Sequence, residues 1–158
     1  MDALAQTLGK RLKAAGAKLV TAESCTGGWA AQVVTSVAGS SAWFESGFVT
    51  YSNDAKRELL GVREDTLQKY GAVSEETARE MAQGALSRGR GTVALAVTGV
   101  AGPGGGSPTK PVGMVCFAWA SARSTRSDTQ QFSGDRESVR RQSVIHALEG
   151  VLRHLDGG

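Results

Sequence analysis

The spacing of apolar residues predicts an amphipathic helix at each end of the chain. Leucines recur at every fourth position from Leu4 to Leu12, which puts them on one stripe of a helix over residues 3–15 that ends near Gly16. Apolar residues between positions 145 and 155 also share one helical face, and the helix that carries them begins near Asp135. The chain is therefore expected to begin and end in helices.

Between these two helices, short apolar runs alternate with further helical segments. Strands are predicted at residues 18–22, 43–51, 93–98, 112–120 and 125–132. Helices are predicted at residues 29–37, from a cap at Ser52 or Asn53 to residue 60, at 64–70, and from a cap at Ser74 to residue 87. The last two strands are joined by a short polar connection, which favours an antiparallel hairpin. The pattern predicts an α/β fold with three layers, α/β/α, and a mixed, roughly five-stranded sheet, in a single domain over residues 1–158.

The composition fits a globular protein with a small-molecule ligand. The chain has 158 residues, of which 41% are hydrophobic and 21% charged, so it can form a core without a metal or disulfide. Its net charge is only +3, aromatic residues make up 6%, and the arginines near the C-terminus are interleaved with acidic residues. These features argue against a nucleic-acid partner and favour a small anion held by one or two arginines.

Signals for metals, cofactors and targeting are weak. Two cysteines provide no disulfide framework, and two histidines make a histidine-ligated zinc site improbable, so we predict no metal and no cofactor. No apolar run reaches the ~18 residues of a membrane span, and the N-terminus lacks an unbroken apolar signal core. A cytoplasmic protein without a membrane partner is therefore expected.

The first candidate site is the segment from Thr21 to Gly28, TAESCTGG, where a strand runs into a small-residue turn that opens a helix. Backbone amides at such a helix start favour negative charge, so a nucleophile on this turn would have an oxyanion site beside it. Ser24 and Cys25 are the two candidate nucleophiles. A phosphate-binding turn without covalent chemistry, or a plain strand-to-helix connection, is the alternative.

A serine nucleophile needs a base, and the sequence offers a lysine more readily than a histidine. Both histidines, His146 and His154, belong to the C-terminal helix, where a solvated or partly buried helix face explains them. Lys56 lies in the first turns of a helix, where the dipole favours its neutral form, and Tyr51 ends the strand before it. An ordinary exposed lysine and a strand aromatic are the alternatives.

Two further segments could hold the rest of a ligand. Five of the 21 glycines fall between Gly99 and Gly106, directly after an apolar strand, where α/β folds place binding loops. This segment matches neither the nucleotide P-loop nor the dinucleotide fingerprint, and a flexible connection is the alternative. Arg136 and Arg140, four residues apart near a helix start, suit a phosphate, although an exposed salt-bridged face is equally compatible.

Taken together, these segments resemble the CinA C-terminal domain family over about residues 3 to 155. The resemblance rests on seven ordered blocks, which are TAESCTGG at 21–28, GFVTYSN at 47–53 with Lys56, LLGV at 59–62, GAVS at 71–74, TGVAGPGG at 98–105, KPVG at 110–113 and FSGDR at 132–136. The family's enzymatic members are nicotinamide-nucleotide amidases. The resemblance implies an α/β fold, hydrolysis of nicotinamide mononucleotide to nicotinate mononucleotide and ammonia, and a homo-oligomer such as a dimer. It also implies a stand-alone form without the larger N-terminal domain of some members.

The resemblance also implies roles for residues of this chain. Its serine, tyrosine and lysine fall on Ser24, Tyr51 and Lys56. In the resulting hypothesis Ser24 attacks the nicotinamide carbonyl, amides between Cys25 and Gly27 stabilise the oxyanion, and Lys56 takes the serine proton directly or through Tyr51. The predicted substrate-binding residues are Cys25, Thr26, Gly27, Gly28, Asn53, Thr98, Gly99, Gly102, Gly105, Arg136 and Arg140.

Three alternatives to this hypothesis stay open. The chain could be a non-catalytic module that binds a nucleotide or a partner. A Ser-Tyr-Lys oxidoreductase is disfavoured, because Tyr51 and Lys56 are five residues apart where the dehydrogenase helix pattern needs four, and no dinucleotide fingerprint is present. Finally, Cys25 could replace Ser24 as the nucleophile.

Overall fold

A computed structural model describes residues 1–157. The elements follow in this order: α1 (Asp2–Ala14), β1 (Leu19–Glu23), α2 (Trp29–Thr35), a 3₁₀ turn (Ser40–Ala42), β2 (Phe44–Val49), α3 (Asn53–Leu60), α4 (Glu64–Tyr70), α5 (Glu75–Arg88), β3 (Val93–Gly99), β4 (Met114–Ser121), β5 (Thr125–Gln131) and α6 (Arg136–Leu155). The helix at each end of the chain is confirmed.

The five strands form one mixed sheet in the order β2-β1-β3-β4-β5. Strands β2, β1 and β3 run parallel, whereas β4 pairs antiparallel with both β3 and β5. The predicted antiparallel hairpin of the last two strands is therefore confirmed, as is the mixed five-stranded sheet. Because β1 lies inside the sheet with its two parallel neighbours, the carboxyl ends of three strands meet at one edge.

Helices cover both faces of the sheet, which confirms the three-layer arrangement. Side chains that alternate along the strands divide into two cores. On one face, Leu95 and Phe117 pack with α1, α2 and α6. On the other face, alanines of the strands, among them Ala96 and Ala118, pack with α5 and with apolar residues of α3 and α4.

The helix-capping residues predicted from the sequence fix the helices around the site. The Ser52 hydroxyl accepts the backbone N–H of Ala55 at the start of α3, and Gly61 ends that helix in the left-handed region with φ +71°. Helix α3 then crosses α5 at close range, since a Cβ built on Gly84 would lie 1.8 Å from the carbonyl oxygen of Leu60. This close crossing sets the position of α3, and with it the position of Lys56.

The strand ends differ from the prediction by a few residues. The predicted strand 43–51 ends at Val49, because the chain leaves the ladder to reach the Ser52 cap. The predicted strand 112–120 begins only at Met114, because Gly113 has φ +92° and its amide donates to the Val100 carbonyl instead of extending β4. Helix α2 ends at Thr35 rather than at residue 37.

Candidate active site

Ser24 lies at the edge of the sheet where the parallel strands end. It follows β1 directly, and its backbone N–H donates to the carbonyl of Val97 in the neighbouring strand β3 at 3.0 Å. A cavity of about 220 Å³ opens beside it. The cavity is lined by Ser24, Cys25, Tyr51, Asn53, Lys56, Ala72, Val73, Thr98, Gly99, Ala101 and Arg136. Several of the predicted site residues, distant in sequence, thus share one cavity.

The closest contact in this cavity joins Ser24 to Lys56. The Lys56 Nζ lies 3.0 Å from the Ser24 Oγ, and it donates to the backbone carbonyl oxygens of Thr50 at 2.9 Å and Tyr51 at 3.1 Å. The lysine is only 1% exposed, and no carboxylate among residues 1–157 pairs with it. Nearly all ammonium groups of this kind stay in water or pair with an acid, so this burial is unusual.

Burial changes the protonation of the lysine. Because desolvation penalises the charged form, it lowers the pKa of Lys56 from 10.5 to about 8. A neutral amine is therefore accessible near physiological pH. This amine touches a serine hydroxyl, which is the arrangement that a general base requires.

Tyr51 contributes its backbone rather than its ring to the serine. Its carbonyl oxygen accepts from Lys56 and lies 3.4 Å from the Ser24 Oγ. Tyr51 as a whole is 64% exposed, and its hydroxyl lies 3.4 Å from the Arg136 Nη2. In this conformation the proton of Ser24 can reach Lys56 directly, without passing through the phenol.

The two candidate arginines have different surroundings. Arg136 lines the cavity and donates to the carbonyl of Gly102 at 2.8 Å. Arg140 does not line the cavity and instead binds the turn that follows Ser24. Its Nε donates to the Cys25 carbonyl at 3.0 Å and its Nη2 to the Thr26 carbonyl at 3.2 Å. Of the two, only Arg136 lies where a ligand in the cavity could meet it.

The turn from Ser24 to Gly28 has both free and occupied amides. The Gly27 amide donates to the Ser24 carbonyl at 3.1 Å, so it is not available to a ligand. Within residues 1–157, no oxygen atom accepts the amides of Cys25 and Thr26. Gly27 and Gly28 have φ angles of +60° and +100°, which side chains rarely adopt, so both positions favour glycine.

Of the other predicted binding residues, some line the cavity and others do not. Thr98, Gly99 and Asn53 line the cavity, and the Thr98 hydroxyl donates to the Ala72 carbonyl at 2.9 Å. Gly102 does not line the cavity, but its carbonyl accepts a hydrogen bond from Arg136, which does. Thr26, Gly27, Gly28 and Gly105 are not among the lining residues, and Thr26 is fully buried.

Sequence reasoning missed Glu23, a carboxylate that is fully buried beside the serine. Its Oε1 accepts the Thr26 hydroxyl at 2.6 Å and the Ala30 amide at 2.8 Å, and its Oε2 accepts the Ala31 amide at 3.0 Å. The amides at the start of α2 are thus already occupied. An acidic residue at the end of an otherwise uncharged strand was the available signal.

Cys25 is poorly suited to nucleophilic attack. It lies in the cavity wall, but burial raises the pKa of its thiol to about 12, so almost no thiolate forms at neutral pH. This favours Ser24 over Cys25. The histidines are also elsewhere, since His146 pairs with Asp128 at 3.0 Å and His154 lies 3.0 Å from the Ser121 hydroxyl.

The described part of the chain has neither a metal-binding cluster nor a membrane-spanning helix. Among residues 1–157, no three His, Cys, Asp or Glu side chains are grouped so that they could hold a metal ion. No helix within the same range combines the length and apolar character needed to cross a bilayer.

Comparison with known proteins relates this chain to one family. The family model described as the CinA C-terminal domain matches residues 1–155. The nicotinamide-nucleotide amidohydrolase PncC of Escherichia coli K12 is 56% identical over 153 residues, covering 96% of this chain and 93% of that protein. The protein of the same name from Pseudomonas putida is 53% identical and covers 95% of this chain and 94% of its own length.

A solved structure has the same fold over almost the whole length. The crystal structure of the competence/damage inducible protein CihA from Agrobacterium tumefaciens superposes with a TM-score of 0.94 at 46% identity, covering 98% of this chain and 94% of that one. The family model and the full-length likeness agree, and this chain belongs to the CinA C-terminal domain family.

Proposed function

We propose that this protein hydrolyses the amide of nicotinamide mononucleotide to give nicotinate mononucleotide and ammonia, with Ser24 as nucleophile and Lys56 as base. The observation that carries the proposal is the buried contact between the Lys56 amine and the Ser24 hydroxyl, which opens into a cavity. Relatives named as nicotinamide-nucleotide amidohydrolases, at 53–56% identity over most of the chain, support the substrate class.

The hydrogen bonds around Lys56 support its role as the base. A neutral amine has two N–H bonds and one lone pair. With its two N–H groups donated to the carbonyls of Thr50 and Tyr51, the lone pair faces the Ser24 hydroxyl. Lys56 can then take the proton as Ser24 attacks, and return it to the amide nitrogen as ammonia leaves.

The reaction has two stages. In the first, a bond forms between the Ser24 oxygen and the amide carbon, the carbon–nitrogen bond breaks, and ammonia departs with the proton held by Lys56. In the second, water attacks the resulting ester, Lys56 accepts the proton from the water, and Ser24 leaves with that proton. The amide of Cys25, a residue that lines the cavity beside Ser24, is our candidate for stabilising the oxyanion in both stages.

Arg136 is our candidate for the substrate phosphate. Its guanidinium lies at the cavity, where its present partners are two neutral oxygens, the Gly102 carbonyl and the Tyr51 hydroxyl. A phosphate would give this cation a charged acceptor with the planar, two-bond geometry that arginine favours. Thr98, Gly99 and Asn53 would then contact the nicotinamide and ribose, while Arg140 holds the turn.

A module that only binds a nucleotide is the second candidate, and the burial of Lys56 argues against it. Placing a lysine at 1% exposure, with no acidic partner among residues 1–157, costs stability. A phosphate or nucleotide site needs no such residue, since an exposed arginine or backbone amides suffice. The unusual protonation of Lys56 has a use only if a proton moves.

The assay that tests this proposal measures ammonia and nicotinate mononucleotide released from nicotinamide mononucleotide by the purified protein. The expected result is equal amounts of both products, with far slower turnover of free nicotinamide, which lacks the phosphate. Binding of the nucleotide in a calorimeter without release of ammonia would instead support the binding module.

We also propose that the protein forms a homo-oligomer such as a dimer, as the family resemblance implies. Support comes from β2, an edge strand of the sheet, and from exposed apolar side chains at its end and shortly after it. Val49 is 51% exposed, Tyr51 64% and Leu59 47%. An edge strand with exposed apolar neighbours is a surface that association would cover.

A further inference from the structure

Glu23 is a buried carboxylate that the proposed chemistry does not use. It directly precedes Ser24, is fully buried, and does not line the cavity. A carboxylate placed inside a protein must be compensated by hydrogen bonds or an opposite charge. Its partners therefore indicate what it does.

All three partners of Glu23 belong to the segment that follows the nucleophile. The Thr26 hydroxyl lies in the turn, while the amides of Ala30 and Ala31 lie in the first turn of α2. One side chain thus connects the end of β1, the turn with Ser24 and the start of α2. Hydrogen bonds to a charged acceptor are about twice as strong as neutral ones.

Helix α2 depends on this carboxylate because it lacks a cap of its own. It has only seven residues, and Gly28 at its N-cap position offers no side chain to the free amides. Short helices are marginally stable in isolation. Glu23 supplies the missing acceptor from the preceding strand, and its negative charge complements the positive end of the helix.

The turn has few other hydrogen bonds to hold its shape. Ser24 donates to Val97 through its backbone amide, Gly27 donates back to Ser24, and Arg140 donates to two carbonyls of the turn. At the start of α2 the Trp29 amide donates to the Thr26 carbonyl at 3.0 Å and the Gln32 amide to the Gly28 carbonyl at 2.9 Å, and Glu23 supplies the acceptors for the two amides between them. Without the carboxylate, the peptides of Cys25 and Thr26 could rotate, and the Ser24 hydroxyl could move away from Lys56.

We propose that Glu23 is a positioning residue for the amide hydrolysis: its carboxylate holds the turn so that Ser24 meets Lys56 and the Cys25 amide faces the substrate carbonyl. This inference rests on the proposed function. Because the Glu23 carboxylate already accepts the amides at the positive end of α2, these amides are not available to bind an anionic substrate. Its phosphate is held by Arg136 instead.

The chain contains a matched control for this role. Glu80 is a half-buried carboxylate that accepts the backbone N–H of Arg63 at 2.8 Å and the Thr66 hydroxyl at 2.5 Å. It thereby holds the start of α4, which also has seven residues. No residue of α4 lines the cavity. Loss of Glu80 should therefore weaken a helix start without moving the nucleophile.

The test compares Glu23→Gln with Glu80→Gln in the full-length protein, measuring kcat and KM for nicotinamide mononucleotide and the melting temperature. A glutamine at position 23 has the same size, but its NH₂ group cannot accept the Ala31 amide. We expect kcat to fall about 10- to 100-fold in Glu23→Gln, since small misplacements of reacting groups cost that much. KM should stay within about twofold, because the phosphate contact is unchanged. Glu80→Gln should lower the melting temperature but leave kcat within about twofold.

The proposal is overturned if kcat of Glu23→Gln matches that of Glu80→Gln, or if KM rises while kcat stays constant. Should Glu23→Gln not fold, Thr26→Val removes one of the three hydrogen bonds to the Glu23 carboxylate. This variant should lower kcat in the same direction but by less, and an unchanged kcat overturns the proposal.

If the wild type releases no ammonia, the proposed function fails, and the rate at which a fluorophosphonate labels Ser24 still tests the role of Glu23. Slower labelling of Glu23→Gln than of Glu80→Gln supports the positioning role, and equal rates refute it.

Discussion

At the scale of single residues, Lys56 shows how far burial decides chemistry. The scarcity of histidines and the family resemblance both indicate a lysine base, and the helix dipole predicts a lowered pKa for Lys56. The cause that dominates is desolvation, because α3 and the cavity wall leave the amine only 1% exposed. The spacing of residues along the chain could not predict the burial of Lys56, since burial depends on which elements pack over the side chain.

The burial of Lys56 leads to a prediction for the pH dependence of the reaction. Only the neutral amine accepts a proton, so kcat/KM should rise about tenfold per pH unit below the pKa of about 8 and level off above it. The measurement is kcat/KM for nicotinamide mononucleotide from pH 6.5 to 9.5. A flat profile over this range would contradict a lysine base.

The same pKa has a consequence for stability. In the unfolded chain Lys56 has a pKa of 10.5, and in the folded protein it is about 8. Between these values the unfolded state binds more protons, so the free energy of unfolding should rise as the pH increases from about 8 to about 10.5. Denaturant titrations of the wild type and Lys56→Met should show this rise in the wild type alone. Equal pH slopes in both proteins would refute it.

Arg136 and Arg140 illustrate a limit of sequence reasoning at this scale. Both lie on the first turns of α6, four residues apart, so the spacing treats them as equivalent. Only the surrounding chain separates them, because the turn carbonyls bind Arg140 while Arg136 faces the cavity. Glu23 went unnoticed for the same reason, as its hydrogen bonds exist only once β1 and α2 are folded.

A phosphate contact at Arg136 predicts a specific kinetic effect. Arg136→Ala should raise KM for nicotinamide mononucleotide by about 10- to 100-fold, which corresponds to the loss of one hydrogen bond between charged groups. Turnover of free nicotinamide should stay unchanged. Arg141→Ala is the matched control, because Arg141 is an exposed arginine on the same helix that pairs with Glu137. Equal effects of Arg136→Ala on both substrates would remove the phosphate role.

At the scale of elements, the order and type of helices and strands followed from local patterns. Ser52, Ser74 and Asp135 each accept a backbone N–H three residues later, so the capping chemistry that predicted these helices is also what forms them. Strand ends were less predictable. Gly113 and Thr50 belong to turns whose conformation is set by partners in other parts of the chain.

The close crossing of α3 and α5 predicts that a larger residue at Gly84 destabilises the protein. A methyl group at Gly84 would lie 1.8 Å from the Leu60 carbonyl oxygen, so Gly84→Ala must push α3 away. We expect a loss of about 1 to 3 kcal/mol in the free energy of unfolding, as for other overpacked sites. Turnover should fall as well, because α3 carries Lys56.

The control for this prediction is Gly104→Ala, where nothing lies within 4 Å of the added methyl group. Denaturant unfolding of both variants provides the comparison. If Gly84→Ala is as stable as Gly104→Ala, the two helices can separate without cost, and α3 is not held by this contact.

At the scale of the whole molecule, the sheet topology brings the site together. Residues 24, 56, 98 and 136 meet because the parallel strands β1 and β3 end at the same edge and α3 and α6 begin there. The sequence predicted the mixed sheet from the alternation of strands and helices. It could not give the strand order, because pairing of β1 with both β2 and β3 involves residues far apart in the chain.

Association is the prediction that belongs to the whole molecule. Analytical ultracentrifugation should give a mass above that of the 16.4-kDa chain, because the β2 edge and the apolar residues beside it are covered in the oligomer. Val49→Glu places a charge on this surface and should shift the equilibrium toward the monomer. A single 16.4-kDa species of the wild type at all concentrations would contradict the prediction.

The central claim is that the hydroxyl of Ser24 carries out the amide hydrolysis. Its most direct test is the rate of ammonia release from nicotinamide mononucleotide by Ser24→Ala, with Ser36→Ala, a serine at the far end of α2, as the control. We expect Ser24→Ala to lose about 10³-fold or more in kcat while its melting temperature and nucleotide binding are retained, and Ser36→Ala to match the wild type. Turnover by Ser24→Ala within about tenfold of the wild type would contradict the account.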